Sequence, residues 1–588
     1  MVVIEFGKAE TQTLDSNSLF LSFRGSDFSE NIQKIKSYWN RKYLPNSKEW
    51  EVPFSCWEEI KQLYAGTFIK YINDPPKAKF VTETDITEGM DFNGYNLYDY
   101  QLEGVKYGLN HHNFLLLDEQ GLGKTLQLIT LARYKKLHQG LKHCLIICGV
   151  NSLKFNWQRE VAKFCKDEKA IVLGTRVNSK GKVVPTTVEE MKTQIDNVPE
   201  EFFWVMNMER IRLNSADAKA ETGVVHHLNK LIASGELGMV VIDEIHKIKS
   251  ITSSTAKGIL ALDPSMSKVG MTGTLLVNNP LDLYCPMSFI GLLNYSKWAF
   301  DNKFVIKDEW GRPTGYQNME ELHNILYKSS LRRTKDLLDL PDKIIKDEWL
   351  EFSDDEWKVM NDLTQYEYRG KYLDKIEPVF DVMAMITRMR QITVTTDLVS
   401  STHFESTKFN RLKDILEEAR LNGQKVLVFC PFTQALELGL DYCKEYQPKL
   451  IKGGMGAKVQ ETIDAHENTD GFSCIFAQEA TLGAGFTLVN TQIVVFLSPP
   501  WNRANYDQCC DRCHRIGQKH TVQIINLFIA NTYDEAIYKM LNGKGAMSDA
   551  VIDGDESAKA MDYISEMGIS FHKKGRNLAS LFKLPDTK

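Results

Sequence analysis

Short, wholly apolar runs set between longer stretches of helical periodicity constrain this chain most. Phe114–Leu117, Cys144–Cys148, Val240–Ile242, Val426–Phe429 and Ile493–Leu497 show no polar alternation. A strand that is apolar on both faces must be covered on both, which implies parallel strands layered between helices. The expected fold class is therefore α/β. The runs fall in two blocks, 93–290 and 409–556. Between them, 291–408 reads as helical, from apolar periodicity around Trp357–Tyr366 and Val379–Ile392. An aromatic-rich segment, 1–92, precedes the first block and ends near Asp74-Pro75-Pro76, a candidate linker. A tail, 557–588, follows the second. No fixed-period repeat is present.

At 43% apolar and 25% charged residues, the chain can bury large cores, which excludes disorder and collagen-like structure. Its 588 residues suit about four domains, or three larger ones. No apolar run approaches the ~18 residues of a membrane span, and the opening Met1–Lys8 lacks the regions of a signal peptide. Eleven thinly spread cysteines suggest reduced thiols. The expected location is accordingly cytoplasmic (a nucleoid included) or nuclear, with no membrane partner. A formal net charge of −6, from 71 basic and 77 acidic residues, excludes a uniformly basic DNA-coating protein. It leaves room for local basic tracks at Lys34–Lys48, Arg332-Arg333 and His572–Arg576.

Two constellations carry chemistry. Asn113–Leu117 runs into Asp118-Glu119-Gln120-Gly121-Leu122-Gly123-Lys124-Thr125 and then into a helical stretch ending at Gly140. Strand, glycine loop and Lys-Thr helix start together suggest a phosphate cradle. Loop N–H groups would face the anion, Lys124 would reach the outer phosphates, and Thr125 would supply an oxygen to Mg²⁺. Asp118 stands where the usual pattern has glycine, and a plain strand-to-helix turn with a surface lysine is the alternative. The second constellation is Gly238–Ile242 followed by Asp243, Glu244 and His246. An apolar strand here delivers paired acids at its C-terminal end, where α/β sheets bind ligands. One acid can hold the metal shell while its neighbour orients or deprotonates a water. Solvated acids at a strand end are the alternative. Together the two point to a nucleotide triphosphatase.

From here the chain resembles the Swi/Snf-like branch of superfamily-two helicases, in motif order over most of its length. Leu97-Tyr98-Asp99-Tyr100-Gln101 resembles that family's adenine-recognising glutamine motif. Asp118–Thr125 resembles its DEMGLGKT loop, with Gln120 for methionine, and Asp243–His246 its DEAH-type box. Asn151, Ser152, Trp157 and Glu160 resemble the first DNA-contact motif, and Met206-Asn207-Met208-Glu209 with Arg212 the next. Met271-Thr272-Gly273-Thr274, with Asn278, Leu281 and Tyr284, resembles the coupling motif. Leu331-Arg332-Arg333-Thr334-Lys335 and Leu340-Pro341 are similar to the inter-lobe signature. Gly483–Gly485 resembles motif five, and Trp501-Asn502 through Gln508, Arg512, Arg515 and Gln518 resembles motif six. Gln460 stands where an arginine is common.

The resemblance implies two RecA-like P-loop lobes with helical inter-lobe insertions. It implies ATP and Mg²⁺ as cofactors. Gln101, Gly121, Gly123, Lys124, Thr125, Gly485 and Gln508 would bind the nucleotide, with Thr125 and Asp243 on Mg²⁺. Glu244, Asp243, Arg512 and Arg515 would be catalytic. His246, Thr272, Gly273 and Thr274 would couple nucleotide state to DNA. Asn151, Ser152 and Asn207 would contact DNA.

In the opening segment, Lys34, Lys36, Arg41, Lys42 and Lys48 interleave with Tyr38, Trp39, Tyr43 and Trp50. Cations for phosphates and flat rings for unstacked bases suit a nucleic-acid binder. A small α+β domain with those rings in its core is the alternative. Tyr43–Pro53 with Leu63 loosely resembles the HARP domain of annealing helicases. Cys510-Asp511-Arg512-Cys513-His514 fits a haem-attachment or zinc pattern but lacks the company either needs. Cys509, Cys510 and Cys513 are therefore expected to pack a helix. Asn577–Phe582 resembles a sliding-clamp-binding peptide, with an apolar anchor as the alternative. The expected function is an ATP-dependent translocase on duplex or branched DNA that reanneals or remodels it. The alternatives are an ATPase that displaces or shifts DNA-bound proteins, and a DNA-binding clamp with little turnover. Expected partners are duplex, forked or single-strand-junction DNA and replication or repair proteins, with the chain a monomer.

Overall fold

The computed structural model describes residues 1–7, 18–38, 40–53, 56–72, 86–149, 153–179, 183–214, 216, 221–273, 280–309, 313–338, 340–364, 382–455, 458–482, 486–500, 503–535, 537–539 and 541. Asn151, Ser152, Thr274, Gly485, Trp39, the Asp74-Pro75-Pro76 linker and the tail with its basic patch lie outside them. The chain divides into two compact units at Leu337/Leu338.

The first unit is built on a seven-stranded sheet, every pair of which is parallel. In spatial order its strands are Ser330–Leu331, Phe114–Leu116, Ser267–Met271, Leu237–Asp243, His143–Cys148, Phe203–Asn207 and Ala170–Val172. Phe114–Leu116, Phe203–Asn207 and Ser267–Met271 are buried at every position. That is the consequence of helices on both faces, and it is why their sequences show no alternation. Gly270 is required for this layering. A Cβ there would lie 2.3 Å from Ile245 Cδ1 and 2.7 Å from Leu115 Cδ2.

Residues 1–72 form a small module within this unit. Its five strands lie in the order Lys42–Leu44, Glu49–Pro53, Ser18–Phe23, Val2–Phe6 and Ile69–Tyr71. Helices Phe28–Ser37 and Trp57–Leu63 complete it. Ser18–Phe23 alternates half-buried and buried, as a strand with one covered face should. Ile4, Phe6, Leu21, Ile35, Tyr38 and Tyr64 belong to its core. Asn40, fully buried, ties the module to the rest of the unit. Its amide donates to the Leu292 carbonyl at 3.0 Å and its oxygen accepts from Asn294 N at 2.8 Å.

The second unit holds a six-stranded parallel sheet in the order Lys343–Leu350, Val522–Ile529, Ile493–Phe496, Lys425–Cys430, Ser473–Gln478 and Lys449–Ile451. Together the two sheets make a pair of RecA-like lobes. The region 291–408 is not one helical connector. Up to Leu337 it belongs to the first unit, and it includes the hairpin Val305–Lys307/Pro313–Tyr316. Beyond that point it supplies the edge strand Lys343–Leu350 to the second sheet before helices Asp354–Thr364 and Val382–Val394. Lys343–Leu350 is largely exposed, so its mixed charges hid a strand from periodicity.

All eleven cysteines are buried free thiols. Cys509, Cys510 and Cys513 pack in the second core, as their expected role requires. One buried ion pair organises that core. Lys408 Nζ lies 2.7 Å from Asp534 Oδ2, with both side chains at 0% exposure. Lys408 also donates to the Leu497 carbonyl, and Asp534 accepts from Ile529 N. Removing one partner of such a pair strands a buried charge. Lys408→Met should therefore destabilise the second unit by about 3–5 kcal/mol, and Lys408→Met/Asp534→Asn should recover much of that, measured by denaturant unfolding.

Candidate nucleotide site

The C-terminal edge of the first sheet gathers expected residues of the first block, among them Lys124, Asp243, Glu244, His246 and Thr272. Phe114–Leu116 ends in the loop 117–123, and helix Lys124–Gln139 follows. Gly121 (φ 89°) and Gly123 (φ 72°) take left-handed backbone that side chains resist, and this turns the loop back over the helix start. Lys124 opens the helix, where N–H groups favour an anion. Its ammonium donates to the Asp118 and Glu119 carbonyls at 2.7 and 3.0 Å. Thr125 follows, half-buried. Gln101, on helix Asp99–Asn110, is 2% exposed and donates to the Leu122 carbonyl at 3.2 Å. Tyr100 Oη donates to that same carbonyl.

Leu237–Asp243 delivers the acid pair two strands away. Glu244 sits at φ 54°, a left-handed conformation that turns its side chain back to the sheet edge. Its Oε2 accepts from Thr272 Oγ1 at 3.1 Å and lies 3.2 Å from His246 Nδ1, which is itself 2.8 Å from Thr272 Oγ1. The expected coupling residues His246 and Thr272 thus touch the Glu244 carboxylate directly. Gly273 adjoins the phosphate loop, since a Cβ there would lie 2.4 Å from Gln120 Cγ and 3.3 Å from Lys124 Nζ. Burial raises the Asp243 carboxyl and the neighbouring Glu244 charge raises it further. Burial works on Glu244 too, but the His246 hydrogen bond and the Lys124 and Lys247 charges hold it below its ordinary value.

Asp243 accepts from Trp157 Nε1 at 2.8 Å, an interaction with no sequence signal beyond the motif letters. Trp157 is on helix Leu153–Phe164 and 2% exposed, so its indole holds one carboxylate rotamer. Oxygen donors Asp243 and Thr125 suit Mg²⁺, which takes one or two protein oxygens and completes its shell with phosphates and water. No cluster of three or more His, Cys, Asp or Glu that could hold a metal occurs among the described residues.

Asn207 closes strand Phe203–Asn207 at the same edge, 8% exposed. Arg332 and Arg333 do not form a surface track. Arg333, its side chain 10% exposed, pairs with buried Asp118, and Arg332 lies 3.9 Å from Glu119 with its side chain 12% exposed. In the opening module, Lys34 pairs with Glu30 and Lys42 with Glu51. Arg41 donates to the Tyr38 carbonyl and lies over the Trp50 ring. Tyr38 is core, whereas Tyr43 stays 46% exposed beside Trp50, and Lys36 is exposed.

In the second unit, Gln508 lies on helix Arg503–Cys510, and Arg512 and Arg515 follow it. Arg512 Nε donates to the Gln508 carbonyl at 3.0 Å and one terminal nitrogen to the Phe486 carbonyl at 3.3 Å. Arg515 donates to Thr487 Oγ1 at 2.9 Å. Both arginines are therefore gathered beside the segment that follows Gly485. Gln518 bonds the Thr491 and Cys513 carbonyls and accepts from Lys519 N and His520 N, a structural role. Gln460 is on helix Lys458–Glu467, bonded to Asp464.

A glycine-loop strand–helix junction facing paired carboxylates on a parallel sheet, with a second parallel-sheet lobe behind it in sequence, defines a two-lobed P-loop NTPase fold. The chain belongs to the SNF2-related domain family, whose profile matches residues 61–415. The helicase conserved C-terminal domain matches 407–517. An uncharacterized ATP-dependent helicase of Mycoplasma pneumoniae is 28% identical over 524 residues, covering 86% of this chain and 47% of that protein. A human DNA repair and recombination protein RAD54-like is 26% identical over 541 residues, covering 80% of this chain and 68% of that protein. A solved SWI2/SNF2 ATPase core of Sulfolobus solfataricus in complex with dsDNA is 23% identical at a TM-score of 0.35, covering 86% of this chain and all of that one. The chain spans about half the length of its Mycoplasma relatives.

Two outcomes are expected. Trp157→Phe keeps the ring and loses the indole donor, so Mg²⁺ affinity should weaken by about 10–100-fold, read from the Mg²⁺ dependence of nucleotide binding. Because Asp243 is raised and must ionise to hold a cation, Mg²⁺ affinity should tighten as pH rises through neutrality. A titration at pH 6 and pH 8 checks the sign.

Proposed function

We propose that this chain is a DNA-dependent ATPase that translocates along duplex or branched DNA and reanneals or remodels it. The observation that carries the reading is the contact of Glu244 with Thr272 and His246, behind the Lys124 loop. It supports the reading because the carboxylate proposed to orient water hydrogen-bonds the residues proposed to couple nucleotide state to DNA. Membership of the SNF2-related family supports ATP as the nucleotide and DNA as the track.

Thr125 and Asp243 would hold Mg²⁺, which when bound would offset phosphate charge. Lys124 would exchange the Asp118 and Glu119 carbonyls for phosphate oxygens. Glu244, kept ionised by its neighbours, would orient the attacking water and receive its proton. Arg512 and Arg515 would meet the charge developing on the transferred group, an effect worth about 10³–10⁵ in rate. Both arginines come from the second unit, so hydrolysis would draw on residues of both units, and its coupling to DNA would supply a step along it.

The names of the relatives divide between repair and recombination and chromatin regulation. The opening module favours the repair-like, remodelling role, because it presents Lys36, Lys42 and Tyr43 at its surface. Replication or repair proteins are the proposed partners, and the working unit is a monomer. An ATPase that shifts DNA-bound proteins is the second reading.

Lys124→Ala and Glu244→Gln should each abolish ATP hydrolysis while DNA binding persists, measured by phosphate release and by DNA retardation. Ordinary turnover in both would sink the motor reading. ATPase stimulation by single-stranded, duplex and forked DNA should rank forked or duplex DNA highest. Lys36→Ala/Tyr43→Ala should flatten that ranking more than it lowers basal rate, and an unchanged ranking removes the module's role.

A further inference from the structure

One guanidinium holds three parts of the nucleotide site together. Asp118 stands where phosphate loops ordinarily carry glycine, and it is 0% exposed. A carboxylate so buried needs a compensating charge. Arg333 supplies it through two nitrogens, Nε at 3.0 Å from Oδ1 and a terminal nitrogen on Oδ2. The same guanidinium donates to the Tyr100 carbonyl, on the helix of Gln101. It also donates at 2.8 Å to Gln127 Oε1, on the helix opened by Lys124. Gly104 makes the room, because a Cβ there would lie 1.9 Å from Gln127 Oε1 and 2.7 Å from the guanidinium.

The backbone repeats the connection. Leu117 N donates to the Leu331 carbonyl at 2.7 Å and Glu119 N to the Arg333 carbonyl at 2.9 Å. The Glu119 carboxylate accepts from Lys335 N at 2.8 Å. Segment 331–337 is therefore laced to the phosphate loop from Leu117 to Glu119, and it is the stretch by which the chain leaves the first unit. The loop carbonyls that Lys124 engages belong to Asp118 and Glu119, within that laced stretch.

We propose that Arg333 is a positioning residue for the nucleotide site, acting through Asp118, so that the inter-unit segment and the phosphate loop move as one piece and DNA engagement alters nucleotide affinity. The inference rests on reading the Lys124 loop as an ATP site on a DNA motor. By linkage, DNA and nucleotide must then change each other's affinity by the same factor.

The experiment uses the full chain and a fluorescent ATP analogue with Mg²⁺, and it measures analogue Kd with and without saturating duplex DNA. The ratio of the two should lie at about 5–150-fold for the wild type. In Arg333→Gln it should fall to within about twofold of unity, and DNA-stimulated kcat should drop toward the DNA-free value. Arg333→Lys, which keeps the charge but not the fork, should recover part of the ratio. Asp118→Asn/Arg333→Gln removes both charges, guards against misfolding of the single variant, and should show the same loss of coupling. A lowered melting temperature with the ratio and the DNA stimulation still within about twofold of wild type would make the pair a fold-holding contact and overturn the proposal. Failure of the wild type to bind the analogue would instead overturn the ATP-site reading, and this inference with it.

Discussion

The parallel pairing of one three-residue strand, Phe114–Leu116, is the interaction on which the rest of the first unit depends. On one side it hydrogen-bonds Ser267–Met271, and the Leu116 carbonyl accepts from Thr272 N. On the other it pairs with Ser330–Leu331. The glycine loop 117–123 therefore emerges between Thr272 and the segment that leaves the unit. Parallel strands put all their C-terminal ends on one edge, so loops distant in sequence meet there without any further device. Lys124, Glu244 and Thr272 are brought together in this way, and the burial of the strand makes the register costly to change.

One physical rule recurs in the two units: a buried carboxylate is met by a cation that also donates to a backbone carbonyl. Asp118 with Arg333 links the phosphate loop to its flanking helices, and Lys408 with Asp534 links a helix to the end of the second sheet. The acid pair Asp243–Glu244 departs from the rule in a useful direction. Two adjacent carboxyls are buried together, so one is raised while the other is held down by His246, Lys124 and Lys247. Such a separation of neighbouring acids suits one for a cation and the other for a water.

Much of this was legible in the chain. The apolar runs at Phe114, Cys144, Val240, Val426 and Ile493 are strands within a residue or a few at either end. The periodicities around Trp357 and Val379 are helices Asp354–Thr364 and Val382–Val394. What escaped was whatever periodicity does not encode. Lys343–Leu350 is an exposed edge strand whose charges imitate a helix surface. Arg332-Arg333 reads as a basic patch because a linear sequence cannot show that Asp118, 215 residues away, is its buried counter-charge. The aromatics of the opening module divide between core and surface, with Tyr38 inside and Tyr43 outside, although their spacing to neighbouring lysines looks alike.

By itself, the sequence determined two parallel α/β lobes, the phosphate loop with its glycines, the paired acids and their order along the chain. These follow from local chemistry, since apolar runs demand covering, positive φ favours glycine, and a Lys-Thr helix start draws an anion. The tertiary structure alone decided which groups share a hydrogen bond: Trp157 with Asp243, Thr272 with Glu244, and Arg333 with Asp118. Those pairings depend on strand order in the sheet, and strand order is set by the packing of whole layers rather than by any segment's own residues.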